Sequence, residues 1–402
     1  MIVEMSDKNL QYMGRIDTAQ ENAPLFLYAG SWVRMRFTGN RLAVRIKIYP
    51  IYNVQKIGYI LDGAEGVLEL PREGWQEVTC EIPVPSEQTE HTFTLFKRLD
   101  ASQSYRVLGF ELAENAAVLP LPPLPDFKIE VFGDSVSAGA VCEAYDYVAK
   151  CDPEPNDGRY DNAWHSFPMV ASRLVNAQIH NNAQGGIALL DNTGYFHNGE
   201  IGLVSSYNKL CYFPEAETGV TDWDFSRYTP DLVIFAVGQN DHCIGGVENQ
   251  IRSGEARTAW IDVYAKIVRE LMERYPHAHF LFTLTVLCHD EDYERLFDEL
   301  EHRSQAIAYI ACALRAQEKQ RPAIRGFPNR RRWQLNWRSG FSPSARRTDY
   351  SGKMVPDRLL PWSVWNFRLT TRQIRHAGML MKNQRIVNGR QICPARFSGT
   401  SE

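Results

Sequence analysis

The first part of the chain alternates short apolar runs with turn residues. Between residues 24 and 115 the runs are rich in β-branched and aromatic side chains, from LFLYAGSWVRMRFTG to YRVLGFEL. Gly, Asn, Asp or Pro interrupts them about every ten residues, a spacing typical of β-sandwiches. The pattern predicts an all-β, jelly-roll-like sandwich over residues 1–117.

A proline-rich stretch separates this region from one with a different periodicity. VLPLPPLPD, residues 118–126, holds four prolines and predicts a stiff, extended linker. Beyond it, apolar strands such as FKIEVFG (127–133) and DLVIFAVG (231–238) alternate with amphipathic helices such as residues 253–275. That order predicts an α/β domain over residues 127–320, with helices on both faces of a parallel sheet. Ligands bind such sheets at the carboxyl ends of the strands.

The composition fits two globular domains and gives no sign of a membrane or nucleic-acid partner. The chain has 402 residues, 44% of them hydrophobic, and a net charge of −4. We expect no transmembrane helix, because no apolar run reaches about 18 residues. The N-terminus lacks the basic and apolar segments of a signal peptide. Eight cysteines without a C-x-x-C pair are typical of reduced thiols, so we expect a cytoplasmic protein.

Three short blocks carry the candidate chemistry, and each follows a predicted strand. The first is Gly133-Asp134-Ser135, the second is Gly185-Gly186, and the third runs from Gly238 to Asp241. Each block alone is typical of an ordinary turn or helix cap. All three at strand ends of one predicted sheet indicate a site, because the carboxyl ends of parallel strands meet at one edge.

In this order, the three blocks resemble the signature of the SGNH (GDSL-type) hydrolases over residues 127–320. The sandwich and linker before them are similar to the layout of carbohydrate esterase family 2, whose members remove acetyl groups from plant polysaccharides. The resemblance implies a three-layer α/β/α fold of SGNH type. It also implies a serine esterase that acts on small-molecule or oligosaccharide esters, O-acetylated sugars above all, without a cofactor or a metal.

The residues of the blocks suit ester hydrolysis. Ser135 would attack the acyl carbonyl and form an acyl-enzyme. The backbone N–H groups of Ser135 and Gly186 and the side-chain amide of Asn240 would form the oxyanion hole. Gly185 could serve in place of Gly186, since glycine lets the backbone approach a substrate closely. Asp134 would brace the loop around Ser135 by hydrogen bonds, and His289 would line the substrate cleft. We assign both residues to substrate binding.

The catalytic base is harder to find. The resemblance implies a late D-x-x-H motif, yet no such motif follows residue 300. His376, in RQIRHAGMLM, is the candidate base, although Gln373 stands where the motif has Asp. A Ser–His dyad without a carboxylate partner would still fit the resemblance.

The C-terminal segment, residues 321–402, has an unusual composition. It carries 15 Arg and 2 Lys against 2 Asp and 1 Glu, a net charge of +14, so the first 320 residues carry −18. A basic arm suits nucleic acid, but no binding motif accompanies this one. Our hypothesis is a shifted reading frame, in which the codons of residues 321–324 can encode Thr-Pro-Gly-His before an acidic helix. The chain would then lack its catalytic histidine.

Two further questions stay open at this point. A rival function is a catalytically defective carbohydrate-binding protein that has lost its base. Three aromatic residues could stack on a sugar ring, although most aromatic residues belong to cores. They are Trp164, Tyr195 and Trp223.

Overall fold

The protein is described by a computed structural model that combines a β-sandwich with a parallel sheet. The structure describes residues 1–50, 54–71, 76–85, 88–101, 103–148, 150–242, 254–283 and 308–311.

Two antiparallel sheets form the sandwich, each with six strands within the described ranges. The first sheet contains β1 (Ile2–Val3), β3 (Ile16–Asp17), β4 (Leu25–Phe26), β6 (Leu42–Pro50), β9 (Glu77–Ile82) and β11 (Gln103–Leu112). The second sheet contains β2 (Gln11–Met13), β5 (Trp32–Thr38), β7 (Gln55–Leu61), β8 (Ala64–Leu70), β10 (Glu90–Lys97) and β12 (Val118–Leu119).

Alternation along the strands builds the sandwich core. Along β5, the side chains of Val33, Met35 and Phe37 are buried, while the residues between them are partly exposed. Successive side chains of a strand point to opposite faces, so every second one enters the core. β12 pairs with β5, so the first two residues of the predicted linker belong to the sandwich. The predicted sandwich is confirmed, and its jelly-roll connectivity stays a prediction.

The second part of the chain contains the predicted parallel sheet, whose strand order is β14–β13–β17–β18–β19. Its strands are β13 (Lys128–Gly133), β14 (Gln178–Ala183), β17 (Leu232–Ala236), β18 (His279–Thr283) and β19 (Ala308–Ala311). The remaining pair, β15 (Lys209–Cys211) and β16 (Thr221–Asp222), is antiparallel. The helices are α1 (Ser135–Ala138), α2 (Phe167–Leu174), α3 (Leu203–Ser206), α4 (Gln239–His242) and α5 (Gly254–Arg274). Short 3-10 helices cover Tyr145–Tyr147, Ala163–His165, Phe196–Gly199 and Phe225–Arg227.

Helices pack on both faces of this sheet, as the sequence predicts. On one face, Trp260 and Tyr264 of α5 pack with Phe235 of β17. On the other face, Met169 of α2 packs with Ile234 of β17. Alternate residues of one strand therefore enter two cores, which explains why these strands are apolar almost throughout.

The sandwich packs directly against the second face. Met13, Trp32 and Phe96 of the sandwich share one buried cluster with Val131 and Ile179 of the parallel sheet. The two parts thus share a core, although a proline-rich segment joins them in sequence.

One buried ion pair crosses the same boundary. Arg15 lies between β2 and β3, and its Nη2 donates to Oε1 of Glu130 on β13 at 2.9 Å. Both side chains are fully buried. The guanidinium also donates to the carbonyl oxygens of Tyr207 (2.7 Å) and Lys209 (2.9 Å), and Asn182 donates to Oε1 of Glu130 at 3.0 Å. Most of the donors of the charged fork are therefore satisfied.

Aromatic rings surround this guanidinium. Its central carbon lies 5.1 to 5.8 Å from the ring centroids of Tyr28, Phe132, Trp223 and Phe225. Cation–π attraction adds to the ion pair at such distances.

The thiols only partly match the sequence prediction. Cys80 and Cys211 are free thiols, but Cys151 is disulfide-bonded. The expectation that all cysteines are reduced is wrong for Cys151. The predicted cytoplasmic location stays a prediction. Within the described ranges, no helix has both the length and the hydropathy needed to span a bilayer.

Replacing Arg15 should destabilise the whole chain. We expect Arg15→Ala to lower the free energy of unfolding by about 3–5 kcal/mol, because it leaves the Glu130 carboxylate buried without its partner. Urea denaturation followed by tryptophan fluorescence would measure this. The matched control is Arg36→Ala, which breaks an exposed pair with Glu90 and should cost about 1 kcal/mol or less. Equal losses in the two variants would contradict the central role of the buried pair.

Candidate active site

The three sequence blocks leave the parallel sheet at the same level. Gly133, the last residue of β13, pairs with Ala183 at the end of β14 and with Ala236 at the end of β17. The residues that follow these three strand ends therefore meet at one edge of the sheet, as the sequence predicts.

Ser135 lies at the sharp corner between β13 and α1. Asp134 caps the helix, and its Oδ1 accepts a hydrogen bond from the Val136 N–H at 3.1 Å. Glycine is required at 133, because a Cβ there would lie 2.2 Å from Oγ of Ser137. Ser135 itself is partly exposed, and within the described residues its Oγ makes no hydrogen bond. The corner thus presents a serine whose hydroxyl has no hydrogen-bond partner among the described residues.

The carboxyl of Asp134 is a structural brace. It is 1% exposed. Burial, aided by the nearby Asp241 carboxylate, raises the pKa of Asp134 from 3.8 to about 7, against the hydrogen bond from Val136. The contact of Asp134 with substrate stays a prediction. The burial of the side chain does not support it.

The second block turns sharply after β14, and its two glycines differ in their N–H groups. The N–H of Gly185 donates to Oδ2 of Asp100, a sandwich residue, at 2.7 Å. Gly186 has a φ of +73°, and its N–H finds no acceptor in the described part of the chain. A Cβ built on Gly185 would lie 3.9 Å from the Cβ of Ser135, so the first two blocks are in contact. Of the two glycines, Gly186 is the one with an N–H left for an oxyanion.

The third block ties itself to the second. Asn240, on α4, donates from Nδ2 to the carbonyl oxygen of Ile187 at 2.8 Å, which leaves its second amide hydrogen for another acceptor. The carboxylate of Asp241 accepts from the Leu189 N–H at 3.0 and 3.1 Å, and from Nε1 of Trp260 at 2.8 Å. Burial raises the pKa of Asp241 from 3.8 to about 6, against those bonds. Asp241 therefore holds the loop and is not available to orient a base.

No histidine is hydrogen-bonded to Ser135 in the part of the chain that the structure describes. His376, His289 and the basic segment 321–402 lie outside the described residues, so those assignments stay predictions. Four described histidines interact elsewhere, and no hydrogen bond in the described part of the chain joins a histidine to Ser135. They are His91 with Asp62, His165 with Glu65, His197 with Glu215, and His180 stacked on Tyr228.

The structure separates the three candidate sugar-stacking residues. Trp164 stacks on Phe96, and Trp223 is buried beside Arg15. Tyr195 is 49% exposed, and a Cβ built on Gly186 would lie 3.0 Å from its Cβ. Of the three, only Tyr195 combines an exposed ring with a place beside the second block.

A cluster of metal-ligand type lies at the boundary with the sandwich. One ligand atom from each of Glu65, Glu143 and His165 lies within 4.8 Å of the others. Arg98 forms an ion pair with Glu143, and Asn162 donates to both glutamates at 2.8 Å. The carboxylates of the cluster therefore already have protein hydrogen-bond and ion-pair partners, and these contacts link the sandwich to the second part of the chain.

Sequence reasoning missed the residues that hold the blocks in place. Asp100 and Trp260 follow no motif, and they reach the site from 85 and 19 residues away along the chain. No sequence signal marks either residue, because Asp100 is a single acid in the connection between β10 and β11, and Trp260 is one of several apolar residues of α5.

The comparisons with known proteins agree with this geometry. Residues 12–122 match the family described as the carbohydrate esterase 2 N-terminal domain. The chain is 28% identical over 283 residues to the acetylxylan esterase / glucomannan deacetylase of Cellvibrio japonicus, which covers 70% of this chain and 72% of that protein.

Two solved structures of family two carbohydrate esterases share the fold. The one from Cellvibrio japonicus has a TM-score of 0.65 at 23% identity and covers 78% of this chain and 88% of its own. The one from Clostridium thermocellum, in complex with cellohexaose, has a TM-score of 0.63 at 23% identity and covers 75% and 88%.

The raised pKa of Asp134 predicts a pH-dependent effect of Asp134→Asn. The folded protein keeps this carboxyl protonated up to about pH 7, whereas the unfolded chain ionises near pH 3.8. The resulting penalty is absent below that lower value, grows as the pH rises, and is complete above about 7. Asn keeps the cap but carries no charge. The gain in melting temperature should therefore be larger at pH 8 than at pH 5, by on the order of 5 °C.

Asp224→Asn is the matched control for this experiment. Asp224 also caps a short helix, and its hydrogen bonds with Ser226 lower its pKa. It is therefore ionised in both states above pH 5, and its substitution should show no trend. The same trend in both variants, or none in either, would contradict the buried-acid account.

Proposed function

We propose, from the two-domain layout of carbohydrate esterase family 2 that this chain has, that the protein is a serine esterase that removes acetyl groups from carbohydrates. One observation carries the proposal. Three strand ends in register bring Ser135, with an uncommitted hydroxyl, next to a glycine loop whose Gly186 N–H has no acceptor in the described part of the chain. A nucleophile beside such a donor suits acyl transfer.

The proposed reaction follows from these groups. A base takes the proton from Ser135 Oγ as the oxygen attacks the acyl carbonyl. The carbonyl oxygen becomes negative and accepts hydrogen bonds from the Ser135 and Gly186 N–H groups and from the second amide hydrogen of Asn240. The bond between the acyl carbon and the sugar oxygen then breaks, the base gives its proton to that leaving oxygen, and the sugar departs with a free hydroxyl. Water, deprotonated by the same base, attacks the acyl-enzyme in the same way and releases the acid and Ser135. His376 remains the proposed base.

For this reaction, the rigidity of the hydrogen-bond donors matters more than the number of donors. The amide of Asn240 cannot turn away, because Nδ2 is bonded to Ile187. The loop that carries Gly186 is bonded on both sides, to Asp100 before it and to Asp241 after it. Donors held this way need no reorganisation when charge develops, and each typically contributes about 10²- to 10³-fold in rate.

Three observations support a carbohydrate as the substrate. A similar protein carries the name acetylxylan esterase / glucomannan deacetylase, and a structural neighbour was solved with cellohexaose. The exposed ring of Tyr195 lies beside Gly186 and offers an apolar face at the place where the sugar would sit. Sugar rings stack on such faces through their C–H surfaces.

A second candidate is carbohydrate binding without turnover. The observation that favours it is the lack of a histidine bonded to Ser135 within the described residues. If the base is missing, the cleft would keep its sugar contacts and lose its chemistry.

Replacing Ser135 separates these candidates. The full chain should release acetate from p-nitrophenyl acetate and from acetylated xylo-oligosaccharides. Ser135→Ala should lower kcat by on the order of 10⁴-fold or more, since it removes the nucleophile. Ser137→Ala is the control, because Ser137 lies on the same helix and its buried Oγ has no hydrogen-bond partner in the described part of the chain.

Three outcomes of that assay are decisive. Loss in Ser135→Ala alone supports the esterase. Equal turnover in Ser135→Ala and the unmodified chain contradicts Ser135 as nucleophile. No turnover by any form, together with calorimetric binding of the acetylated oligosaccharide, would establish the binding protein.

Tyr195→Ala should affect sugar substrates selectively. We expect KM for acetylated oligosaccharides to rise about three- to tenfold, the value of one aromatic stack. Kinetics with p-nitrophenyl acetate, which lacks the sugar, should stay within about twofold. Tyr145→Ala is the matched control, since Tyr145 is similarly exposed but lies beside Glu143 and Glu65. A parallel change with both substrates would argue against a sugar platform.

A further inference from the structure

One short segment of the sandwich, residues 97–101, contacts the candidate active site. Lys97 ends β10, and Lys97, Arg98, Leu99 and Ala101 are all buried. Asp100 is partly exposed. A buried connection between two strands is unusual, because such connections normally run over the surface.

This segment grips the second block through two residues. Oδ2 of Asp100 accepts from the Gly185 N–H at 2.7 Å and from Nε2 of Gln184 at 2.8 Å. The N–H of Ala101 donates to Oε1 of Gln184 at 3.2 Å, and the Tyr212 hydroxyl donates to the same oxygen at 2.7 Å. The side chain of Gln184 is therefore held at both its oxygen and its nitrogen.

The backbone of the segment is fixed as well. Nζ of Lys97 donates to the carbonyl oxygen of Leu99 at 2.8 Å and also to that of Asp100. The N–H of Ala163, from the second part of the chain, donates to the carbonyl oxygen of Arg98 at 2.8 Å. Asp100 is thus presented from an anchored backbone, so its carboxylate can impose a position on the loop it contacts.

Asp100 and Ser135 lie on either side of Gly185. A Cβ built on Gly185 would lie 2.7 Å from Oδ2 of Asp100 and 3.9 Å from the Cβ of Ser135. Two successive N–H groups then have different uses. The Gly185 N–H is committed to Asp100, and the next one, on Gly186, has no acceptor in the described part of the chain.

We propose that Asp100 of the sandwich is a positioning residue for the oxyanion hole, which it sets by holding Gln184 and Gly185 so that the Gly186 N–H is offered to the substrate. The proposal rests on the proposed function. Without the carboxylate, the Gly185 N–H loses its acceptor and would compete with the Gly186 N–H for the carbonyl oxygen of the substrate. The loop would also lose the hydrogen bonds from Gly185 and Gln184 to Asp100. A misplacement of about 1 Å at a reacting group can cost about 10²-fold in rate.

The test compares Asp100→Ala and Asp100→Asn in the full chain. We expect Asp100→Ala to lower kcat about 10²-fold while KM changes less than about threefold, because the loss is confined to the transition state. Asp100→Asn should recover kcat to within about tenfold of the unmodified chain, since its amide oxygen can accept both hydrogen bonds, though more weakly.

Asp7→Ala provides the control for a merely structural effect. Asp7 is also a partly buried acid of the sandwich that accepts a backbone N–H, that of Asn9 at 2.8 Å. Its substitution should leave kcat within about twofold. An equal fall of kcat in Asp7→Ala, or an unchanged kcat in Asp100→Ala, would overturn the proposal.

Amide hydrogen exchange gives a readout that does not depend on turnover. Exchange across residues 184–189, followed by mass spectrometry, should become faster in Asp100→Ala and stay unchanged in Asp7→Ala. If the unmodified chain turns over no ester, the proposed function fails, and the exchange experiment decides the positioning role by itself. Unchanged exchange in Asp100→Ala would then overturn it.

Discussion

The buried pair of Arg15 and Glu130 is the interaction on which the arrangement of the molecule depends. Two charges taken out of water are expensive, and only near-complete hydrogen bonding makes such a pair tolerable. The fold meets most of this demand with backbone carbonyls of residues 207 and 209, the amide of Asn182 and four aromatic rings, although Nε of Arg15 and Oε2 of Glu130 have no hydrogen-bond partner in the described part of the chain. Such bonds tolerate little displacement, so the pair fixes the sandwich against β13. That strand carries Ser135 at its end.

Three carboxyl groups hold the loops of the candidate site in place by accepting hydrogen bonds. Asp134 holds the nucleophile corner, Asp100 holds the start of the glycine loop, and Asp241 holds its end. Two of these carboxyls are buried deeply enough for their pKa values to rise toward neutrality. The burial of these acids lowers the stability of the folded protein at neutral pH. In return, their hydrogen bonds keep the loops of the site rigid.

Local patterns and long-range contacts differ in how far they can be predicted. The sandwich, the parallel sheet and the three blocks were predicted, since apolar periodicity and strand-end glycines are visible in a few neighbouring residues. Arg15 and Asp100 act on partners 115 and 85 residues away, and nothing beside them in sequence marks the contact. The same limit applies to the disulfide bond of Cys151. The scattered positions of the cysteines are typical of reduced thiols, and nothing near Cys151 in sequence marks the bond. The proline-rich segment predicted a spacer, yet tertiary packing brought its first residues into the sheet.

The shared core beneath the sandwich bears on how such a protein can be altered or inherited. Met13, Trp32 and Phe96 pack with Val131 and Ile179 in one buried cluster, so part of the apolar interior of each part is completed by the other. A binding module on a tether can be cut off or exchanged for another without harm to its neighbour. Here the two parts would have to be transplanted together, as one unit of recombination, although the chain has the sequence outline of two domains.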